Sequence, residues 1–318
     1  QQFKDIRIQR DEVVVGPGAK PGLFFAMMAL VDPGDHVIIP DPGFPSYSNT
    51  VNACGGISRP VKLNSNRSGI DVEALKSELE SSGGKTKVLI INSPSNPTGG
   101  VQCKEDLREI ALLAHQHNFL VISDEIYSRL AYPKNDSKDN KSIINGRIEE
   151  EGMKERTVII DGFSKTHAMT GWRLGWAICP KWLAEKIELL LVHSVGCTCS
   201  FTQAAGIAAL DGPQDHVDEM VEEYKQRRNF VVRSLNSMRG VTCEQPDGAF
   251  YAFPDISSLG MSSKDMCNIL LNEGGVAILP GCDFGVHGEG FIRISYVSSM
   301  DVLEEGLSRI ERTICRIA

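Results

Sequence analysis

Val88-Leu89-Ile90-Ile91-Asn92-Ser93-Pro94-Ser95-Asn96-Pro97-Thr98-Gly99-Gly100, then the helical spacing of Asp106–His115, then Leu120-Val121-Ile122-Ser123-Asp124-Glu125, decide the fold. The two apolar runs are short and bounded by turn residues, so they predict buried strands. A helix between two such strands joins parallel neighbours whose faces are both covered. Outward from this stretch the pattern repeats. Val13–Val15, Val37–Ile39 and Val158–Ile160 predict further strands, and Gly22–Leu30 and Val72–Leu79 further helices. The expected class is α/β, with a mostly parallel sheet covered on both faces. Ligands of such sheets collect beyond the carboxyl ends of the strands.

The rest of the chain reads differently. Asn135–Lys141 is polar and charged, an exposed loop. Asp215–Met238 predicts one long, heavily charged helix that opens just after Gly212-Pro213. Behind it come expected strands at Ala249–Phe253, Val276–Leu279 and Phe291–Ser295, a helix near Lys264–Leu271 and a last helix from Asp301. That is a smaller α+β C-terminal domain. The boundary falls near Gly212, giving a large domain of residues 1–212 and a small one of residues 213–318.

Bulk properties exclude several functions. The 318 residues are 42% hydrophobic and 23% charged, with a formal net charge of -8. An acidic balance disfavours nucleic acid and anionic membranes. The apolar stretch Ile187–Val195 is interrupted by Glu188 and His193, and no run approaches the roughly 20 residues of a membrane span. Nine scattered cysteines without a CxxC pair fit free thiols in a reducing compartment, the cytoplasm or an organelle, and metal is not expected.

Four segments stand just beyond predicted strands. Gly16-Pro17-Gly18-Ala19-Lys20 joins a strand to a helix, where free N–H groups receive an anion; alone, it is also a plain turn. Asn92–Gly100 holds two glycines and two prolines, a stiff loop that fixes Asn96 or merely connects. Ser123-Asp124-Glu125-Ile126-Tyr127 puts a carboxylate at a strand end, where burial calls for a cationic partner; a helix cap is the bland alternative. Asp161-Gly162-Phe163-Ser164-Lys165 precedes Met169-Thr170-Gly171-Trp172-Arg173-Leu174-Gly175-Trp176. A desolvated lysine near other positive charge loses its proton more readily and attacks carbonyls, and Arg173 is a natural anion clamp.

Taken in order, GPGAK, NSPSNPTGG, SDEIY, GFSK and MTGWRLGW resemble the class I and II aminotransferases, which use pyridoxal 5′-phosphate and share the aspartate aminotransferase fold. The likeness runs from about Val13 to the C-terminus. It implies that Lys165 binds the cofactor covalently and later shuttles a proton. Asp124 would pair with the ring nitrogen, and Tyr127 and Asn96 would bond the phenolic oxygen. Phe44, in Pro42-Gly43-Phe44, would stack on the ring. Gly18, Ala19 and Lys20 would present backbone N–H groups to the phosphate, with Ser164 and Arg173 completing the cup. Arg293 would grip the substrate carboxylate. Pro42 and Pro97 match places where relatives use cis proline.

The resemblance has two departures. Gly162 stands where many relatives have a serine, which removes a phosphate hydroxyl. Relatives also carry several dozen residues before the first strand, so this chain is expected to be a piece of a longer protein that would hold the cofactor more firmly. The implied function is amino transfer between an L-amino acid, aspartate or an aromatic one first, and a 2-oxo acid. A lyase, decarboxylase or cyclase on the same fold is the alternative. An inactive regulator of this superfamily would lack the lysine or add a DNA-binding domain, and this chain shows neither feature. A homodimer with cofactor sites near the interface is expected.

Overall fold

Strand β4 (Thr86–Asn92) shows how the sequence builds the sheet. In this computed structural model, which describes residues 8–132 and 152–317, the side chains of β4 divide between two cores. Val88 and Ile90 enter one cluster and Leu89 and Ile91 the other, as the two-residue repeat of a strand requires. The same division holds in β2 (His36–Asp41), where Val37 and Ile39 oppose Ile38, and in β5 (Leu120–Asp124), where Ile122 opposes Val121. Each buried aliphatic side chain contributes about 1.5–3 kcal/mol.

In chain order the first part runs β1 (Val13–Gly16), α1 (Ala19–Leu30), β2, α2 (Ser46–Ala53), β3 (Ile57–Lys62), α3 (Val72–Ser81), β4, α4 (Lys104–His117), β5, β6 (Thr157–Gly162), α5 (Phe163–Thr166), β7 (Gly175–Ile178), α6 (Lys181–Val192) and α7 (Ser200–Asp211). The described residues form a seven-stranded sheet, ordered β1-β7-β6-β5-β4-β2-β3. Neighbours from β6 through β3 pair in parallel, while β7 pairs antiparallel with both β6 and β1. The ends of β1, β2, β4, β5 and β6 therefore share one edge with the start of β7. α1 and α6 cover one face through Leu23, Met27, Leu183 and Ile187. α3 and α4 cover the other through Leu75, Leu79, Leu107 and Ile110.

The remainder comprises α8 (Asp215–Ser237), β8 (Tyr251–Ala252), α9 (Ser263–Asn272), β9 (Leu279–Pro280), β10 (Ile292–Ser295) and α10 (Met300–Ile317). The strands form a small antiparallel sheet, β8-β10-β9. Leu303, Leu307, Ile310 and Ile314 recur every three or four residues along α10, so one face packs on Ile292 and Ile294 of β10. Tyr127 and Leu130, just after β5, belong to this core as well.

The expected strands and helices form, with local differences. The strand expected at Val276–Leu279 is confined to Leu279–Pro280, since Val276, Ala277 and Ile278 are irregular. β3 and β7 went unpredicted. β3 contains Pro60 and lies at the sheet edge, where a missing N–H is tolerated. β7 is four residues long and starts with glycine. The loop expected at Asn135–Lys141 lies outside the described residues. Among those described, no helix is long and apolar enough to cross a membrane.

Candidate active site

The edge holding the strand ends gathers the candidate residues. β6 finishes at Gly162, whose backbone is extended at φ 176. An added Cβ there would lie 2.9 Å from both the Leu174 carbonyl oxygen and the Gly175 Cα. The missing hydroxyl is thus a packing requirement: a side chain would push β6 and β7 apart. The Phe163 N–H donates to the Leu174 carbonyl at 3.1 Å, and the chain turns through α5, presenting Ser164 and Lys165. Lys165 is half-buried, with Nζ 5.6 Å from the Phe250 ring centroid. No acid among the described residues pairs with it. Burial, then Arg173 and Arg293, lower its proton affinity below the ordinary lysine range.

Asp124 ends β5 and is buried. Its expected cationic partner is missing among the described residues. Instead the Tyr47 hydroxyl donates to Oδ2 at 2.7 Å, and the Ile126 N–H to Oδ1 at 3.3 Å. A neutral donor balances burial only partly, and the carboxyl pKa is pushed up by desolvation. Tyr47, in the first turn of α2, escaped sequence reasoning. Its available signal was a place three residues after Phe44, whose ring it meets edge-on at 5.7 Å.

Loop Asn92–Gly100 hangs from Asn92. Its Nδ2 donates to the Asp124 carbonyl at 3.0 Å, and its Oδ1 accepts the Asn96 N–H at 2.8 Å. Asp41-Pro42 and Asn96-Pro97 are cis, as expected, and Ser93-Pro94 is cis too. Asn96 Oδ1 accepts from Arg293 Nη1 at 2.8 Å. The Arg293 guanidinium lies 4.5 Å from the Tyr251 ring centroid and 4.8 Å from that of Phe284. Its buried Nε has no partner, and no carboxylate pairs with it among the described residues. The Tyr127 and Tyr251 hydroxyls are 2.8 Å apart, and Tyr251 was the second residue that sequence reasoning missed.

The Gly16–Lys20 turn closes the edge. Gly18 adopts φ 104, and a Cβ on it would lie 2.6 Å from Arg173 Nη2. Only glycine lets the guanidinium approach the start of α1, which opens at Ala19. Arg173 is itself left-handed at φ 56 and donates to the Thr170 and Pro17 carbonyls at 2.9 and 3.2 Å. Lys20 is exposed, its Nζ 5.3 Å from the Phe44 ring centroid.

Three charges here lack opposites among the described residues: a buried carboxylate, a half-buried guanidinium and a desolvated lysine. Such a set fits a ligand bearing a protonatable ring nitrogen, an anion and an aldehyde. The family model for aminotransferases of class I and II matches residues 2–310. The chain belongs to that family. Class I and II aminotransferases use pyridoxal phosphate, and the unmatched charges fit it. An aspartate aminotransferase of Pyrococcus abyssi is 41% identical over 95% of this chain and 76% of its own. An aromatic-amino-acid aminotransferase of Thermococcus litoralis is 37% identical over 96% and 76%. The crystal structure of an aromatic aminotransferase from Pyrococcus horikoshii superposes with a TM-score of 0.91 at 38% identity, covering 99% of this chain and 82% of that one. The chain is an aminotransferase with an α/β fold of this kind.

Proposed function

We propose that the chain moves an amino group between an L-α-amino acid, aspartate or an aromatic one, and a 2-oxo acid. One observation carries this: Lys165, Asp124 and Arg293 stand unmatched around one sheet edge. Arg293, with Asn96 beside it, receives the substrate α-carboxylate on its free N–H groups. Asp124 holds the cofactor ring nitrogen, itself fixed by Tyr47. Tyr127 and Asn96 bond the phenolic oxygen, and Phe44 covers the ring. The backbone at Gly18, Ala19 and Lys20, with Ser164 and Arg173, receives the phosphate. Bound pyridoxal phosphate supplies the electron sink that makes the substrate Cα acidic. Lys165 Nζ would hold the cofactor covalently and, released when the substrate amine takes its place, would take the proton from Cα and return it. Its lowered proton affinity keeps the amine available as a base.

The rings of Tyr251 and Phe284 beside Arg293 support an aromatic donor, and the aspartate relatives support the other member of the pair. A donor panel, with 2-oxoglutarate as acceptor, tests both. Aspartate or an aromatic amino acid should give the fastest loss of the aldehyde-form spectrum. Arg293→Ala should lower kcat/KM for every α-amino acid by roughly two to four orders of magnitude, as expected when two charge-assisted hydrogen bonds of about 1.5–3 kcal/mol each are lost. Unchanged values would refute the carboxylate role.

We read residues 1–212 as the large unit and 213–318 as the small one, supported by separate cores, although Tyr127 and Leu130 reach into the second. A homodimer with cofactor sites near its interface is also proposed. Trp172, Trp182, Leu189, Val192, Phe201, Ile207 and Leu210 are 46–69% exposed on α6, α7 and the loop before β7, too much apolar surface for a face left in water. The same region holds a cleft of about 650 Å³ lined by Pro17, Arg173 and Phe201, against the phosphate cup. Sedimentation equilibrium should give twice the chain mass; a monomer at micromolar concentration would contradict the dimer.

A further inference from the structure

One buried carboxylate has no place in the mechanism above. Asp41 ends β2 and is 2% exposed. Its Oδ1 accepts the His287 backbone N–H at 3.2 Å, and its Oδ2 lies 3.1 Å from His287 Nδ1. An ionised carboxylate only accepts, so this pairing selects a ring protonated at Nδ1. Two residues on, the Gly43 N–H donates to the Phe284 carbonyl at 2.7 Å. Gly285 lies at φ 135, and a side chain there would collide with the Asp41 carboxylate. The segments Asp41-Pro42-Gly43-Phe44 and Phe284-Gly285-Val286-His287 are therefore interlocked.

Each segment carries a ring of the site. Phe44 meets Tyr47, which bonds Asp124. Phe284 lies against the Arg293 guanidinium. Among the described residues the Arg293 side chain bonds Asn96 and its Nε has no partner, so its aim depends on the rings around it. We propose that Asp41 is a positioning residue: it clamps the Phe284–His287 turn onto the end of β2 and so aims Arg293 at the substrate carboxylate. The clamp rests on the carboxylate role of Arg293 given above. It makes the distance between the cofactor-side anchor and the carboxylate-side anchor a property of one buried acceptor.

The test uses the protein loaded with pyridoxal phosphate. Single-turnover rates are compared for phenylalanine and for phenethylamine, the same amine without its carboxylate. Arg293→Ala should erase the preference for phenylalanine. Asp41→Ala should reduce it at least tenfold, and His287→Ala, a change at a surface ring, two- to fivefold. The affinity for 3-phenylpropionate, read by calorimetry, should fall by the same factors. Asp41→Asn, which keeps an acceptor for the His287 N–H, should restore part of the preference. If Arg293→Ala keeps its preference, the carboxylate reading fails and the clamp fails with it. If Arg293→Ala loses the preference while His287→Ala and Asp41→Ala stay within twofold of the parent, the clamp alone is wrong. Equal slowing of both amines in Asp41→Ala also overturns it, since a general structural role would do that. Should Asp41→Ala not fold, His287→Ala decides.

Discussion

Lys165→Ala should abolish turnover and leave the fold intact. A positioned proton-transfer group is worth about 10²–10⁴ in rate, and the same substitution removes the nucleophile. The loss should therefore exceed that range. The fold should not suffer, because a desolvated amine without an acid opposite weakens the native state. Its folded pKa lies below the ordinary 10.5, so the unfolded chain binds more protons between the two values. Stability of the cofactor-free protein must then rise with pH across that window, and its cost is fully present below it. Lys165→Ala removes this rise. Melting temperatures of both proteins, taken without cofactor from neutral to alkaline pH, should converge as pH approaches 10.5. Retained full activity would sink the assignment.

Asp124→Asn should cost roughly two to three orders of magnitude in kcat, the scale of a lost preorganised electrostatic contact in a dry site. An amide can still accept from the Tyr47 hydroxyl, so geometry is kept while charge is lost. That separates charge from shape. Asp124 is raised above 3.8 by burial, so the folded chain binds more protons between 3.8 and its folded pKa. Stability of the cofactor-free protein therefore falls as pH rises through that window, and Asp124→Asn should be the more stable form at neutral pH. The two should meet below pH 3.8. Activity within a few fold of the parent would mean that the carboxylate does not hold the ring nitrogen.

Much of the fold was legible because β2, β4, β5 and β6 are buried on both faces and so appear as apolar runs. β3 and the reversed β7 were not, because an edge strand with Pro60 and a four-residue strand opening on glycine carry no such run. α7 also hid: its alanines and glycine give little periodicity. At the site, residues within quoted segments could be placed, since a segment such as Gly162–Lys165 is local. Tyr47, Tyr251 and the Asp41–His287 pair could not. Each acts through a partner far away along the chain, 77, 124 and 246 residues off, and nothing local marks such a partner.

The reversal of β7 has a consequence for how the site assembles. Because β7 runs against β6, the chain leaves the sheet edge at Gly162 and re-enters it at Gly175, directly opposite. Lys165 and Arg173 are therefore set against each other by a closed local loop. Asn96 and Arg293 meet across 197 residues. Closing the longer loop costs about 3 kcal/mol more chain entropy than closing the short one. The loop that sets Lys165 against Arg173 is thus local, whereas the meeting of Arg173 with Pro17 across 156 residues and that of Asn96 with Arg293 both carry the long-range closure cost that slows folding.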